Sequence, residues 1–148
     1  MKISDAGIAL IKSVEGLRLE AYPDPATGGD PWTVGYGHTG PEVKPGLVIS
    51  EAEAEALLRA DCTWFEECVD AYVIVDLEQN QFDALVSFAF NVGCRALESS
   101  TLLKLVNAGN FEAAEGQFSR WNKAGGKVLS GLSARRKQEA ELFKSQLA

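Results

Sequence analysis

Glu15, Asp24 and Thr33 fall within one short stretch of the chain, and each can move a proton or hold a water. Glu15 stands at the predicted end of a helix, where the negative pole of the helix dipole disfavours an ionised carboxylate. Burial would strengthen that effect and keep a proton available near neutral pH, as a general acid requires. Asp24 follows nine residues later. A second carboxylate that stays ionised near a protonated one forms the pair by which glycosidic bonds are cleaved. The Thr33 hydroxyl can hold a water. Each residue also has a plainer reading: Glu15 as a solvated side chain beside a helix cap, Asp24 as turn chemistry in Pro23-Asp24-Pro25, Thr33 as an ordinary strand residue. Asp30 competes with Asp24 in the same loop.

The elements that must position them are readable from pattern. Ser4 is a candidate N-cap, Ile8, Ile11 and Val14 recur at helical spacing, and Gly16 occupies the C-cap position, so a first helix ends close to Glu15. Arg18–Tyr22 and Trp32–Tyr36 read as short strands, joined by turn formers from Pro23 to Pro31 into a small hairpin-like lobe. Ser50-x-x-Glu53 is a capping box opening a helix that carries Ala54, Leu57, Leu58, Phe65 and Val69. Further helices are expected over Leu77–Val92 with Gly93 as stop, Thr101–Ala108, Phe111–Trp121 and roughly Ser133–Gln146, with a loop over Asn122–Gly126. Phe82, Phe88, Phe90 and Trp121 fit helix packing and are assigned to the core. The plan is α+β in one domain of 148 residues. A first helix and β lobe span about residues 1–48, a helical lobe about residues 49–148, and a cleft between lobes is the natural place for a ligand.

Composition narrows the function classes. The net charge of −7 argues against nucleic acid or an anionic membrane as partner. No run approaches the ~18 apolar residues of a membrane span. Residues Met1–Asp5 lack the basic start and apolar core of a leader, so neither signal peptide nor signal anchor is expected. The charge is uneven: residues 1–119 hold seven Lys/Arg and nineteen Asp/Glu (−12), whereas residues 120–148 hold seven and two (+5). The basic end reads most simply as a solvated helix face; the alternative is a contact with an anionic polymer. Cys62 and Cys68, six residues apart on a predicted helix, are separated by ~9 Å along the axis. That exceeds the ~7 Å reach of a disulfide. Buried thiols are expected for Cys62, Cys68 and Cys94, and no metal site assembles from three cysteines and one histidine.

The run from Glu15 through Tyr22-Pro-Asp24, followed by Trp32-Thr33-Val-Gly-Tyr-Gly-His38-Thr39, resembles the catalytic lobe of phage-type lysozymes, the endolysin muramidases that include the T-even phage enzyme. Residues Gln79 to Gly93 resemble that family's central helix, and Arg120-Trp121 to Lys127 with Gly131-Leu-x-x-Arg-Arg136 resemble its C-terminal portion. The resemblance spans essentially the whole chain. It implies a lysozyme-like fold and hydrolysis of the β-1,4 bond after N-acetylmuramic acid in peptidoglycan. Glu15 would be the acid, with Asp24 and Thr33 holding a water on the opposite face, an arrangement that inverts the anomeric centre. One departure is the interval of eight residues between Asp24 and Thr33, longer than in the T-even members. A longer turn over Ala26–Pro31 accounts for it, with Asp30 as fallback carboxylate. The resemblance further implies no metal or cofactor, a monomer in the host cytoplasm that inserts into no membrane, release to the wall by a holin, and an arginine (Arg135 or Arg136) near Glu15. Gln81 and Asn91 are candidate saccharide contacts, or else helix surface or caps. His38 is expected in a structural hydrogen bond, and Gly35 and Gly37 in close backbone packing. The productive contact with the anionic wall is expected from the +5 segment. A lytic transglycosylase using Glu15 alone and a non-catalytic wall-binding module are the competing readings.

Overall fold

The computed structural model describes residues 1–145. The chain divides into two compact units, residues 12–63 and residues 1–11 with 64–148.

Residues 12–63 hold a three-stranded antiparallel sheet in the order β1 (Arg18–Tyr22), β2 (Thr33–Gly35), β3 (His38–Thr39). Tyr22 lies opposite Thr33 and Arg18 opposite Gly35, with an irregularity between. Strand β3, missed from sequence, pairs Thr39 with Thr33 and His38 with Val34. Two residues are too few for any periodicity to register. The tight connection between β2 and β3 is made by Gly35 and Gly37 at φ 69° and 85°, a backbone region that a Cβ disfavours. The buried cluster is small: Ala21, Val34, Val43, Ile49 and Ala54, flanked by Leu17, Trp32, Tyr36, Leu47 and Leu57.

Helix α1 runs Asp5–Glu15, as its spacing predicts. Helix α2 runs Glu51–Tyr72 and opens on the expected capping box. The Ser50 hydroxyl accepts the Glu53 N–H at 3.1 Å and the Glu53 carboxylate accepts the Ser50 N–H at 3.2 Å.

The other unit is helical. Helix α3 (Gln79–Val92) is buried continuously from Phe82 to Ala89. Such a helix is enclosed on all sides, which is why its sequence shows little polar face. Around it lie α4 (Cys94–Ser99), α5 (Thr101–Asn107), α6 (Phe111–Glu115) and α7 (Ser130–Lys144). The predicted helix over Phe111–Trp121 is instead α6 followed by a 3-10 turn at Phe118–Arg120. The expected loop over Asn122–Gly126 is part of a hairpin, β4 (Lys123–Ala124) with β5 (Lys127–Val128). The predicted end of the last helix, Gln146, lies outside the described residues.

Aromatic rings fill this core as expected. Phe88 meets Phe118 and Trp121 edge-on at 5.7 and 5.4 Å, and Phe65 packs on Phe90 at 5.3 Å. The Asn80 amide donates to the carbonyls of Leu142 and Phe143, each at 3.0 Å, satisfying acceptors left open at the end of α7.

Two expectations are corrected here. Cys68 and Cys94 form a disulfide, 26 residues apart in sequence with Cα atoms 6.0 Å apart, while Cys62 remains a buried thiol. Helical spacing excludes Cys62 as partner of Cys68 but carries no information about a cysteine on another element. The basic end is also not wholly a solvated face, because Arg135 and Arg136 are buried on α7 with Glu139.

Candidate active site

Glu15, Asp24 and Thr33 are all half-buried and all belong to residues 12–63. Glu15 is the last residue of α1, and Gly16 follows at φ 73° with its N–H on the Lys12 carbonyl at 3.1 Å. The helix therefore stops at Glu15. Its Oε2 faces Gly37: a Cβ built there would lie 3.3 Å from that oxygen. Gly37 is favoured for its positive φ, and the Glu15 carboxylate is the group a side chain there would meet first.

Asp24 and Thr33 sit at one end of the β1–β2 hairpin, because Thr33 pairs with Tyr22, two residues before Asp24. The intervening loop is fastened to itself. Asp24 Oδ1 accepts the Ala26 N–H at 2.8 Å, the Asp24 carbonyl accepts from Thr27 and Gly28, and Asp24 N–H donates to Gly29 O at 2.9 Å. The Thr27 hydroxyl donates to the Asp30 carbonyl at 2.8 Å. Asp24 is therefore both a turn-forming residue and half-buried at the sheet end, whereas Asp30 is exposed.

His38 has the structural role read from sequence. Its Nδ1 faces the Asp61 carboxylate at 2.8 Å and its Nε2 faces Glu42 at 2.6 Å, so β3, the following loop and α2 share one imidazole. Partial burial works against the charged ring, but the hydrogen bonds to Glu42 and Asp61 outweigh it and hold His38 above its ordinary value. Lys12, ion-paired with Glu55, also lies over the Tyr36 ring at 5.7 Å.

Gln81 and Asn91 lie ten residues apart on α3, about 15 Å along its axis. Gln81 accepts the Glu78 N–H at 2.9 Å as part of the capping box that opens the helix. Asn91 is exposed near the other end. The two amides are therefore not neighbours.

The sequence reading missed a buried ionic cluster. Glu139 accepts hydrogen bonds from the Ser87 hydroxyl at 2.6 Å, Arg135 Nε at 3.2 Å and Arg136 Nη2 at 3.1 Å. Arg136 Nε lies 2.7 Å from Glu139 Oε1, close enough to pair though off the hydrogen-bond direction. Burial pushes the Glu139 carboxyl up, against the pull of Arg136, Ser87 and Arg135. The i, i+3 and i, i+4 spacing of these charges was the available signal.

The profile of the phage lysozyme family matches residues 12–139. The endolysin of Bacillus phage B103 is 57% identical over 97% of this chain and 54% of its own length. The endolysin of Bacillus phage PZA is 52% identical over 98% of this chain and 56% of its own length, so the chain spans about half the length of these curated relatives. Among solved structures, the muramidase domain of SpmX from Asticaccaulis excentricus superposes with a TM-score of 0.89 at 42% identity, covering 98% of this chain and 99% of that one. A variant of P22 lysozyme superposes at 0.90 with 41% identity and the same coverage.

Proposed function

The chain belongs to the phage lysozyme family, and we propose on that premise that it is an endolysin muramidase. The bond cleaved is the β-1,4 link between N-acetylmuramic acid and N-acetylglucosamine in bacterial peptidoglycan. Glu15 donates its proton to the leaving glycosidic oxygen as positive charge develops at the anomeric carbon. Asp24 and Thr33 hold a water on the opposite face of the sugar. Asp24 takes that water's proton as its oxygen attacks, and the product is inverted. This requires carboxyl groups ~6.5–9.5 Å apart, room enough for the water.

The observation that supports the reading is the grouping of the three residues in one compact unit, with Asp24 and Thr33 at the same end of one hairpin. The Ala26 N–H engages Asp24 Oδ1, so Oδ2 is the oxygen assigned to the water. Asn91 is the α3 amide best placed by exposure to meet saccharide; Gln81 joins it only at the expense of its cap. The protein acts as a monomer without metal or cofactor, and it reaches the wall from the host cytoplasm through a holin-opened membrane. Sedimentation of the purified protein, and fractionation of cells with and without a holin, check those two points.

The decisive experiment digests purified peptidoglycan with the wild type, Glu15→Gln and Asp24→Asn and weighs the soluble fragments. Reducing-end muropeptides, reduced by at least about a hundredfold in each variant, are expected. Anhydro products that persist in Asp24→Asn would identify a transglycosylase using Glu15 alone. Wall binding without cleavage by the wild type would identify a binding module.

A further inference from the structure

We propose that the β4–β5 hairpin, together with Arg120, is the element that docks this protein on the carboxylates of peptidoglycan's peptide stems. The proposal rests on the muramidase reading above and names where that substrate's anionic part is held. The basic end of the chain does not act as one patch. Arg135 and Arg136 are 4% and 1% exposed and are committed to Glu139. Five exposed cations remain: Lys137 and Lys144 lie on α7, which also carries Glu139 and Glu141, whereas Arg120, Lys123 and Lys127 share a stretch from Gly116 to Ala134 that contains no Asp or Glu. Residues 1–119 carry −12, so most of the chain repels an anionic wall and these cations provide the attraction.

The hairpin's build argues for a polymer as partner. Gly125 and Gly126, at φ 59° and 79°, form the two-residue turn that suits the twist of a ribbon. Lys123 pairs with Val128 and Ala124 with Lys127. Cross-strand partners share a face, so the two lysines project to opposite faces. Val128, 59% exposed, lies on the Lys123 face. A lipid surface requires cations and apolar groups sorted onto separate faces; here they are mixed. A ribbon with a cation on each side suits a flexible polyanion that can pass around it.

The test is co-sedimentation with purified sacculi stripped of phosphate polymers, using the Glu15→Gln protein so that the wall stays intact. Binding is expected to weaken about twentyfold to fortyfold between 50 and 200 mM salt, as for a polyanion contacted by about three charges. Adding Arg120→Gln, Lys123→Gln and Lys127→Gln should reduce that change to about twofold or less. Amidating the wall carboxylates should do the same to the parent protein. Lys123→Arg with Lys127→Arg, and separately Lys137→Gln on α7, should keep the full salt dependence. The inference is overturned if the triple substitution keeps the slope, if amidation has no effect, or if a slope appears only when phosphate polymers are retained. Failure of the wild type to release reducing ends from the same sacculi overturns the muramidase reading instead; the binding slope is read independently of it.

Discussion

In residues 12–63 the buried cluster is five small or branched side chains, and much of the remaining fastening is polar: His38 between Asp61 and Glu42, Lys12 with Glu55, and a loop held by Asp24 and Thr27. The helical unit is built differently, with eight consecutive buried residues of α3, five ring–ring contacts, a disulfide and a buried ionic cluster. The proposed chemistry falls in the region with the smaller apolar core. That is where low local stability is expected, since charged and turn residues needed at a site displace packing residues. The contrast predicts that amides of β2 and β3 exchange with solvent through smaller openings than amides of α3.

The largest effect on this contrast should come from Glu139→Ala, which leaves Arg135 and Arg136 buried without their carboxylate and should cost about 3–5 kcal/mol. Urea denaturation measures it; a loss below about 1 kcal/mol would show that the cluster does not hold α7 to α3. Next is Cys68→Ser with Cys94→Ser. Opening a loop of 26 residues should lower stability by about 3–4 kcal/mol. Hydrogen exchange should locate the loss in the last turns of α2 and in α4, the elements the bond joins, and leave β1–β3 unaffected.

The smallest effect, and the one aimed at the other region, is His38→Gln, expected to cost about 1 kcal/mol below pH 6. The folded state holds the His38 proton more tightly than the unfolded chain. Its contribution is therefore complete below the unfolded value near 6.5 and disappears as pH rises through the higher folded value. Exchange rates for residues 38–43 should rise over that window in the wild type and be flat in the variant. Equal pH dependence in both proteins would remove His38 as the fastener of this region.

How much the sequence disclosed depended on the range of the interaction. Helix α1 with its stop at Gly16, strand β1, and the Ser50/Glu53 box are set by neighbours within four residues, and each is where local pattern puts it. Strand β3 and helix α4 were not legible, being too short for a period to emerge. The Cys68–Cys94 bond depends on α2 meeting the start of α4, a tertiary fact. The arginines of α7 were read as a surface because charge is exposed by default, and the facing Ser87 on α3 with Glu139 helps make their burial tolerable. For the candidate site, residue types and order were legible, and the pairing of Tyr22 with Thr33 was not.

The loop from Pro23 to Pro31 carries its own hydrogen bonds, so it imposes no length on the strands it joins. The place of Thr33 is thus set by its pairing with Tyr22 rather than by its distance from Asp24 along the chain, and the turn between them is free to be as long as its own hydrogen bonds allow.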